Sequence, residues 1–295
     1  MDGTQGNPLD QKTLWNGVAG QAWVEAQALL DQIFKPFEQL LVESVSAGSE
    51  SRVLDIGCGT GSTTLAVARR LGASGHCLGI DISAPMIAAA RRHAEREGVP
   101  AHFIQADAQT HAFEPESVDR FISRFGVMFF GDVVEAFANL RRAAKEGADL
   151  RFIVWRRAQE NAFMTTTERA AAPLLPSLPP RRPDAPGQFA LADENRLHRI
   201  LQESGWAEID IQPIDVTCSL PERDLVGFLT RLGPVGQALQ QVDDSTRAKV
   251  VERVRPAFDP YVQGTEVRFT AACWMVVARA SSQSASAAPT GPANA

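Results

Sequence analysis

The chain has few of the features that mark secreted, zinc-bound or membrane proteins. It contains only four cysteines in 295 residues, with no C-x-x-C pair, so we expect neither a disulfide framework nor a zinc site. No apolar run approaches the roughly 20 residues that a membrane helix needs. The segment from Met1 to Lys12 also lacks the apolar core of a secretory signal. We therefore predict a soluble, cytoplasmic protein with no membrane partner.

An excess of positive charge is also missing. The formal net charge is -6 and the pI is about 5.5. Proteins dedicated to nucleic acids normally present a basic face to phosphates, so nucleic acid is not an expected partner. Hydrophobic residues make up 44% and charged residues 22% of the chain, which is typical of a globular protein.

The chain also lacks the complete glycine fingerprint of a dinucleotide-binding turn. Asp55 precedes Gly57, Gly59 and Gly61, and the run follows Val53-Leu54 and leads into a helical pattern. A dinucleotide fingerprint, G-x-G-x-x-G, requires its third glycine at position 62, where Ser62 stands. The turn is therefore predicted to hold a cofactor that has no pyrophosphate.

Strand and helix patterns alternate after this turn, as in a doubly wound α/β fold with a mostly parallel, seven-stranded sheet. An amphipathic helix is predicted from Val133 to Lys145, closing at Gly147, before a strand from Leu150 to Trp155. The other strands are predicted at 53–54, 77–80, 101–106, 118–123, 207–216 and 266–277. Ligands of such sheets bind at the carboxyl ends of the strands.

The flanking segments suggest four regions. Residues 1–50 form an N-terminal helical lid, in which Pro36 predicts a kink or a break into two helices. Residues 51–160 form the cofactor-binding core. Residues 161–280 hold a Pro-rich loop, the remaining strands and a helical insertion, and residues 281–295 form a disordered tail. We expect the loop (173–186) and the insertion (225–262) to cover the substrate.

Acidic residues at the predicted strand ends indicate an adenosine cofactor. Asp81 lies at the distance beyond the glycines where a carboxylate can accept hydrogen bonds from a ribose diol. Asp107 comes too late for that role, and its carboxylate could accept from an adenine amine instead. Ribose, adenine and a turn without pyrophosphate together favour S-adenosylmethionine.

These motifs resemble class I S-adenosylmethionine-dependent methyltransferases. The resemblance runs from about Trp15 to Val277 and rests on Val53-Leu54-Asp55-Ile56-Gly57-Cys58-Gly59-Thr60-Gly61, Gly79-Ile80-Asp81-Ile82-Ser83 and Gln105-Ala106-Asp107-Ala108. Members that methylate nucleobase or glutamine nitrogens usually carry an Asp/Asn-Pro-Pro-aromatic motif after the fourth strand. Ser123-Arg124-Phe125-Gly126 stands there, so the resemblance implies a small-molecule acceptor.

The resemblance also implies roles for individual residues. Gly57 and Gly59 would approach the methionine part of the cofactor, with Asp55 near its amino group, and Asp81 would hold the ribose. Ile82 would flank the adenine. The remaining predicted cofactor-binding residues are Asp107 and Ala108 at the adenine edge, Ser123 after the fourth strand, and Trp23 in the lid, near Trp15.

Several residues have alternative interpretations. Arg124 could bind a carboxylate or phenolate of the substrate or the cofactor's carboxylate, or it could form a structural ion pair. His111 could be a general base or a loop histidine without a catalytic role. Asp107 could be a turn former. Trp15 and Trp23 could belong to the core.

The sequence thus predicts a methyltransferase that moves a methyl group to an oxygen, nitrogen or carbon of a small molecule by in-line displacement, without a metal. Two alternatives stay open. One is a non-catalytic S-adenosylmethionine-binding protein, and the other is an NAD(P)-dependent oxidoreductase, against which Ser62 counts. The sequence predicts no oligomeric state.

Overall fold

Four short helices form the N-terminal segment that the sequence predicts to be a lid. The computed structural model describes residues 10–182 and 185–281, so the predicted tail lies, apart from Ser281, outside the described residues. The four helices are α1 (Gln11–Asn16), α2 (Val18–Glu25), α3 (Gln27–Ile33) and α4 (Lys35–Glu43). Pro36 occupies the first turn of α4, where its missing N–H costs nothing, so the pattern breaks between α3 and α4 as predicted.

An α/β core follows the lid, in the alternating order that the sequence predicts. Its elements are β1 (Arg52–Ile56), α5 (Ser62–Leu71), β2 (His76–Asp81), α6 (Ala84–Glu97), β3 (Ala101–Gln105), β4 (Val118–Arg124), α7 (Val133–Ala143) and β5 (Ala144–Trp155). Helix α6 begins where the sequence indicates, because the Ser83 hydroxyl accepts a hydrogen bond from the Met86 N–H. The helix ends at Gly98, which adopts a left-handed conformation.

The remaining elements complete the sheet and add the helical insertion. They are α8 (Ala162–Ala171), α9 (Glu194–Glu203), β6 (Ala207–Pro221), α10 (Leu225–Arg231), α11 (Gly233–Leu239), α12 (Asp244–Val254), β7 (Val262–Gln263) and β8 (Glu266–Arg279). The described part of 173–186 contains no helix or strand, in keeping with its prolines.

One mixed sheet organises the molecule. The strand order is β3-β2-β1-β4-β5-β8-β6, and the two-residue β7 pairs with the start of β8. Strands β1 to β5 are parallel, whereas β8 runs antiparallel to both β5 and β6. The predicted seven-stranded, mostly parallel sheet is therefore confirmed. Its parallel strands end on one edge at Ile56, Asp81, Gln105, Arg124 and Trp155.

The predicted boundary between α7 and β5 is wrong. The helix ends at Ala143 instead of Lys145, and Gly147 lies inside β5 with a φ of +76°. The Gly147 N–H donates to the Ala280 carbonyl (2.7 Å), and the Ala280 N–H donates to the Ala148 carbonyl (2.8 Å). Pairing with the chain beyond β8 thus extends the strand, and this tertiary contact overrides the local helical pattern.

Aromatic packing secures the insertion to the sheet. Phe163 of α8 stacks on Phe269 of β8 with the ring centroids 3.8 Å apart, and it also meets Phe258 and Tyr261 edge-on.

Among the helices of the described ranges, none has both the length and the apolar character needed to cross a bilayer.

A buried amide joins the start of α8 to β8. The Asn161 side chain, 1% exposed, donates to the Ala272 carbonyl (3.0 Å) and accepts from the Ala272 N–H (2.9 Å). Asn161→Ala would leave both backbone groups without these partners, and we expect it to lower the free energy of unfolding by about 2 kcal/mol. Urea denaturation measures this loss. The exposed Asn195→Ala on α9 is the control, expected within about 0.5 kcal/mol of the parent protein. Equal stability of the two variants would contradict the assigned role.

Candidate cofactor-binding site

Three glycines shape the turn between β1 and α5. Gly57, Gly59 and Gly61 have φ values of +65°, +56° and +90°, a region that side chains disfavour. A Cβ on Gly57 would lie 2.6 Å from the Cα of Gly126, which follows β4. The turn therefore needs glycine at position 57 for two reasons: its backbone conformation and its contact with a second loop. Because the glycines have no side chains, the main-chain atoms of the turn are uncovered on the side that faces the edge of the sheet.

Asp81 connects this turn to the next helix. Its carboxylate, at the end of β2, accepts from the Gly59 N–H and from the Ser83 N–H, both at 2.8 Å. Burial raises the pKa of Asp81, and the backbone hydrogen bonds from Ser83 and Gly59 oppose that shift. One carboxylate thus fixes the relative position of the glycine turn and the start of α6.

A cavity of about 290 Å³ opens at this edge of the sheet. Of the predicted site residues, eight line it: Trp23, Gly57, Gly59, Asp81, Ile82, Asp107, Ala108 and Arg124. Residues at the ends of four separate strands and Trp23 of the N-terminal helices therefore meet around one space. No described residue of 173–186 or 225–262 lines the cavity, so substrate covering by these segments stays a prediction.

Asp55 and Ser123 do not line the cavity. Asp55 is 1% exposed and its carboxylate accepts from the Thr64 hydroxyl at 2.6 Å. Burial raises the pKa of Asp55 to about 7, although the Thr64 bond and the charge of Arg124 act against this shift. Ser123 donates to the Ile56 carbonyl (2.7 Å) and accepts from the Gly126 N–H (3.1 Å). Both side chains are engaged in holding the loops that form the cavity wall.

Asp107 lines the cavity and also shapes its own loop. Its carboxylate accepts from the Gln109 N–H at 2.9 Å, which is the turn-forming interaction that the sequence left as an alternative. The neighbouring Ala108 carbonyl accepts from the buried Asn139 amide of α7 at 3.0 Å. The loop after β3 is thereby held against α7.

Arg124 has an unsatisfied nitrogen. Its Nη2 donates to the Ser62 hydroxyl at 3.0 Å, and the same nitrogen lies 3.9 Å from the Asp31 carboxylate. The guanidinium carbon lies 6.0 Å from the centre of the Phe34 ring. Its Nη1 is buried with no hydrogen-bond partner in the described part of the chain. A buried N–H without an acceptor is costly, so this nitrogen is suited to an anionic group.

His111 lies apart from the cavity lining. Its ring packs edge-on against Phe113, with centroids 4.7 Å apart, and its carbonyl accepts from Asn139 at 2.9 Å. These contacts fit a loop histidine. Within residues 10–182 and 185–281, no three His, Cys, Asp or Glu side chains are grouped so that they could hold a metal ion.

The lid contributes an aromatic wall. Trp15 meets Trp23 edge-on, with centroids 5.9 Å apart, and meets Phe129 edge-on at 5.0 Å. Phe129 belongs to the turn after β4, so these contacts connect the lid to the opposite side of the cavity. Both tryptophans line the cavity.

Sequence reasoning missed several lining residues. Met86 of α6 faces the glycine turn, its Sδ lying 3.6 Å from where a Gly59 Cβ would be. Phe129 and Phe130 belong to an aromatic run that follows Arg124, and this run could have indicated residues that line the cavity. Gln11 gave no signal, because nothing in the sequence indicates how α1 folds back onto the sheet.

Comparison with known proteins agrees with this geometry. Residues 53–147, from β1 to the start of β5, match the family described as "Methyltransferase domain". Residues 53–147 are therefore similar to methyltransferase domains. The matched segment contains the glycine turn, Asp81, Asp107 and Arg124.

Two curated methyltransferases illustrate the relationship in sequence. Aklanonic acid methyltransferase DauC of Streptomyces sp. (strain C5) is 31% identical over 137 residues, which cover 45% of this chain and 62% of that protein. Demethylmenaquinone methyltransferase of Thermus thermophilus is 34% identical over 99 residues, or 34% and 44% of the two chains. The chain thus matches less than two thirds of the length of either relative.

A solved methyltransferase-fold structure agrees over a longer stretch. The YcgJ protein of Bacillus subtilis superposes with a TM-score of 0.56 and covers 84% of this chain and 99% of its own. Its sequence identity is 18%, so this likeness concerns the fold.

Gly57→Ala tests the close contact between the two loops. We expect it to destabilise the methyltransferase fold more than Gly98→Ala, because a Cβ at 57 collides with Gly126 whereas position 98 is open. Gly98 has a similar φ of +64°, so this control carries the left-handed cost alone, about 1 kcal/mol. Denaturant unfolding of both variants measures the difference. Equal losses would show that the loops separate at little cost.

Asp55→Asn tests the raised pKa. Burial raises the pKa of Asp55 to about 7 in the folded protein, whereas the unfolded chain releases this proton near the ordinary aspartate pKa of 3.8. Stability should therefore fall as the pH rises between these values, by at most about 1.4 kcal/mol per pH unit. The variant should lack this fall in urea denaturation from pH 4.5 to 7.5. Asp210→Asn removes an exposed charge as a control and should keep the fall. An unchanged profile in Asp55→Asn would refute the shift.

Proposed function

We propose that the chain catalyses methyl transfer from S-adenosylmethionine to a small-molecule acceptor. The observation that carries the proposal is the convergence of the glycine turn, Asp81, Asp107 and Arg124 on one cavity. These groups come from the ends of different parallel strands, which is where ligands of doubly wound sheets bind. The match of residues 53–147 to the methyltransferase family supports the same activity.

The chemistry of the cavity fits the proposed cofactor. Gly57 and Gly59 leave main-chain atoms bare for the methionine part, and the unpartnered Arg124 Nη1 suits its carboxylate. Asp81 can accept from ribose hydroxyls, because each carboxylate oxygen has a lone pair beyond its present bond. We assign the adenine to the space between Ile82, Asp107 and Ala108, which line the same cavity.

Asp55 and Ser123 have indirect roles in this proposal. Their polar atoms are committed to Thr64 and to the Ile56 carbonyl, so we expect them to fix the loops that bind the cofactor. Both remain part of the proposed site as positioning residues.

When bound, S-adenosylmethionine supplies a methyl group already activated by its sulfonium. The protein then has to align the acceptor with the methyl group for in-line displacement and exclude water. We assign exclusion of water to Trp15, Trp23 and Phe129, whose rings contact one another along the cavity wall. An indole face beside a sulfonium would also provide a cation–π interaction.

The cavity favours an acceptor that needs no strong base. Among the described lining residues there is no histidine, lysine, tyrosine or cysteine. Of the three lining carboxylates, Asp81 and Asp107 are assigned to the cofactor, and Asp10 is exposed to solvent, which favours a weak base. We therefore propose an acceptor that ionises readily by itself, such as a phenol, a quinol, an acidic C–H or a carboxylic acid. His111 has no part in this scheme.

Apolar walls and the related enzymes favour a ring-bearing acceptor. Trp15, Trp23, Phe129 and Phe130 line the cavity, and aromatic side chains bury ring-shaped ligands well. The names of the two relatives refer to aklanonic acid and demethylmenaquinone. We propose an apolar, polycyclic or quinone-like acceptor for this chain.

Cofactor binding is tested by isothermal titration calorimetry with S-adenosylmethionine, S-adenosylhomocysteine and NAD. We expect binding of the first two only. Asp81→Ala should weaken binding tenfold or more, because losing hydrogen bonds to a charged group costs about 1.5–3 kcal/mol. The exposed Asp210→Ala should bind as the parent protein does. Binding of NAD alone would overturn the proposal, and unchanged affinity in Asp81→Ala would remove Asp81 from the site.

Catalysis is tested separately, by following S-adenosylhomocysteine release with naphthoquinols, anthraquinone carboxylic acids, simple phenols and primary amines. Turnover with the ionisable ring compounds and none with amines supports the proposal. Turnover with amines alone would contradict the proposed acceptor class. Cofactor binding without turnover on any of the four classes favours a non-catalytic S-adenosylmethionine-binding protein.

A further inference from the structure

The turn between β2 and α6 is held from two sides. From inside the core, Asp81 accepts from the Ser83 N–H. From outside, Asn16 of the lid binds the same turn twice: its amide nitrogen donates to the Ile82 carbonyl (3.0 Å), and its amide oxygen accepts from the Ala84 N–H (2.8 Å). These bonds span 66 to 68 residues of sequence. They connect the lid directly to the segment assigned to ribose and adenine.

The contact satisfies a need of the helix itself. The first N–H groups of a helix have no partner within it. Ser83 provides one for Met86, and Asn16 provides one for Ala84, the first residue of α6. The cap of α6 is therefore complete only when the lid is in place. Lid position and the geometry of the Asp81-to-Ala84 turn are thereby coupled.

Neighbouring contacts make the docking specific. The Ser83 hydroxyl, fully buried, donates to the Trp15 carbonyl at 2.6 Å. Gly20 of α2 packs so closely here that a Cβ would lie 2.0 Å from the Trp15 carbonyl oxygen and 2.8 Å from the Ser83 hydroxyl. Trp15 is thus fixed through its backbone, and its indole ring reaches across to Phe129.

A second contact farther along the lid is of another kind. The Gln27 amide lies 2.6 Å from the Nδ1 atom of His93, on α6. That pair joins two part-buried side chains, whereas Asn16 bonds main-chain groups within the turn that lines the cavity. Of these two contacts, the Asn16 bonds are therefore the ones that a ligand in the cavity can affect directly.

We propose that Asn16 is a positioning residue that latches the lid over the cofactor and sets how long the cofactor and its product stay bound. The proposal rests on the proposed function, since it takes S-adenosylmethionine and S-adenosylhomocysteine as the occupants of the cavity. Opening the lid breaks both Asn16 bonds, uncaps α6 and withdraws Trp15 from Phe129. The latch contributes to the barrier for release and leaves the bonds of Asp81 intact.

The test measures release of S-adenosylhomocysteine by stopped-flow displacement, followed by the fluorescence of the lid tryptophans Trp15 and Trp23. Asn16→Ala should raise the dissociation rate tenfold or more and change the association rate less than threefold. Gln21→Ala is the matched control, because Gln21 is an amide of the same lid that bonds only Glu25, one turn along its own helix, in the described contacts. It should leave both rates unchanged.

A second variant keeps the test decisive if Asn16→Ala fails to fold. Asn16→Asp retains the acceptor for the Ala84 N–H and lacks the donor to the Ile82 carbonyl, so it should release product faster than the parent by a smaller factor. A dissociation rate within twofold of the parent in every folded variant overturns the latch while the proposed function stands. A parent protein that binds no S-adenosylhomocysteine overturns both.

Discussion

The Asp81 carboxylate is the interaction on which the site depends. It gathers two backbone N–H groups, from the glycine turn and from the start of α6, at the edge of the sheet. Without Asp81, no hydrogen bond from its carboxylate would fix the position of Gly59 relative to the turn between β2 and α6, which Asn16 contacts. Burial raises the pKa of this carboxyl group, and the hydrogen bonds from the two donors offset only part of that shift. The cavity is thus built around a buried acidic side chain.

A second group of charges lies beside the glycine turn. Arg124 carries a positive charge next to the Ser62 hydroxyl and within 3.9 Å of Asp31, and its charge opposes the upward pKa shift of Asp55. Asp55 is held protonated to a higher pH by burial and by its neighbours Asp81 and Glu38. Among the residues that the structure describes, none accepts a hydrogen bond from Arg124 Nη1, although the net charge of the protein is negative. Site chemistry here depends on local geometry more than on overall charge.

Much of the fold was predictable because its signals are local. The spacing of Gly57, Gly59 and Gly61, the cap at Ser83 and the break at Pro36 each act within a few residues. The end of α7 was not predictable, because pairing between Gly147 and Ala280 joins residues more than a hundred positions apart. The engagement of Ser123 with Ile56 was hidden for the same reason. No sequence pattern indicated that Asn16 contacts the turn after β2.

The sequence by itself determined the alternation of strands and helices from β1 to β5, the glycine turn, and the positions of Asp81 and Asp107 at the ends of strands. These follow from periodicity, from the absence of a side chain and from caps, all of which act over short distances. Only the tertiary structure decided which side chains line the cavity and which hold its surrounding loops through hydrogen bonds. Asp55 and Ser123 belong to the second group. The physical reason is that a buried polar group bonds whatever partner the packing brings near, and packing joins segments far apart in the chain.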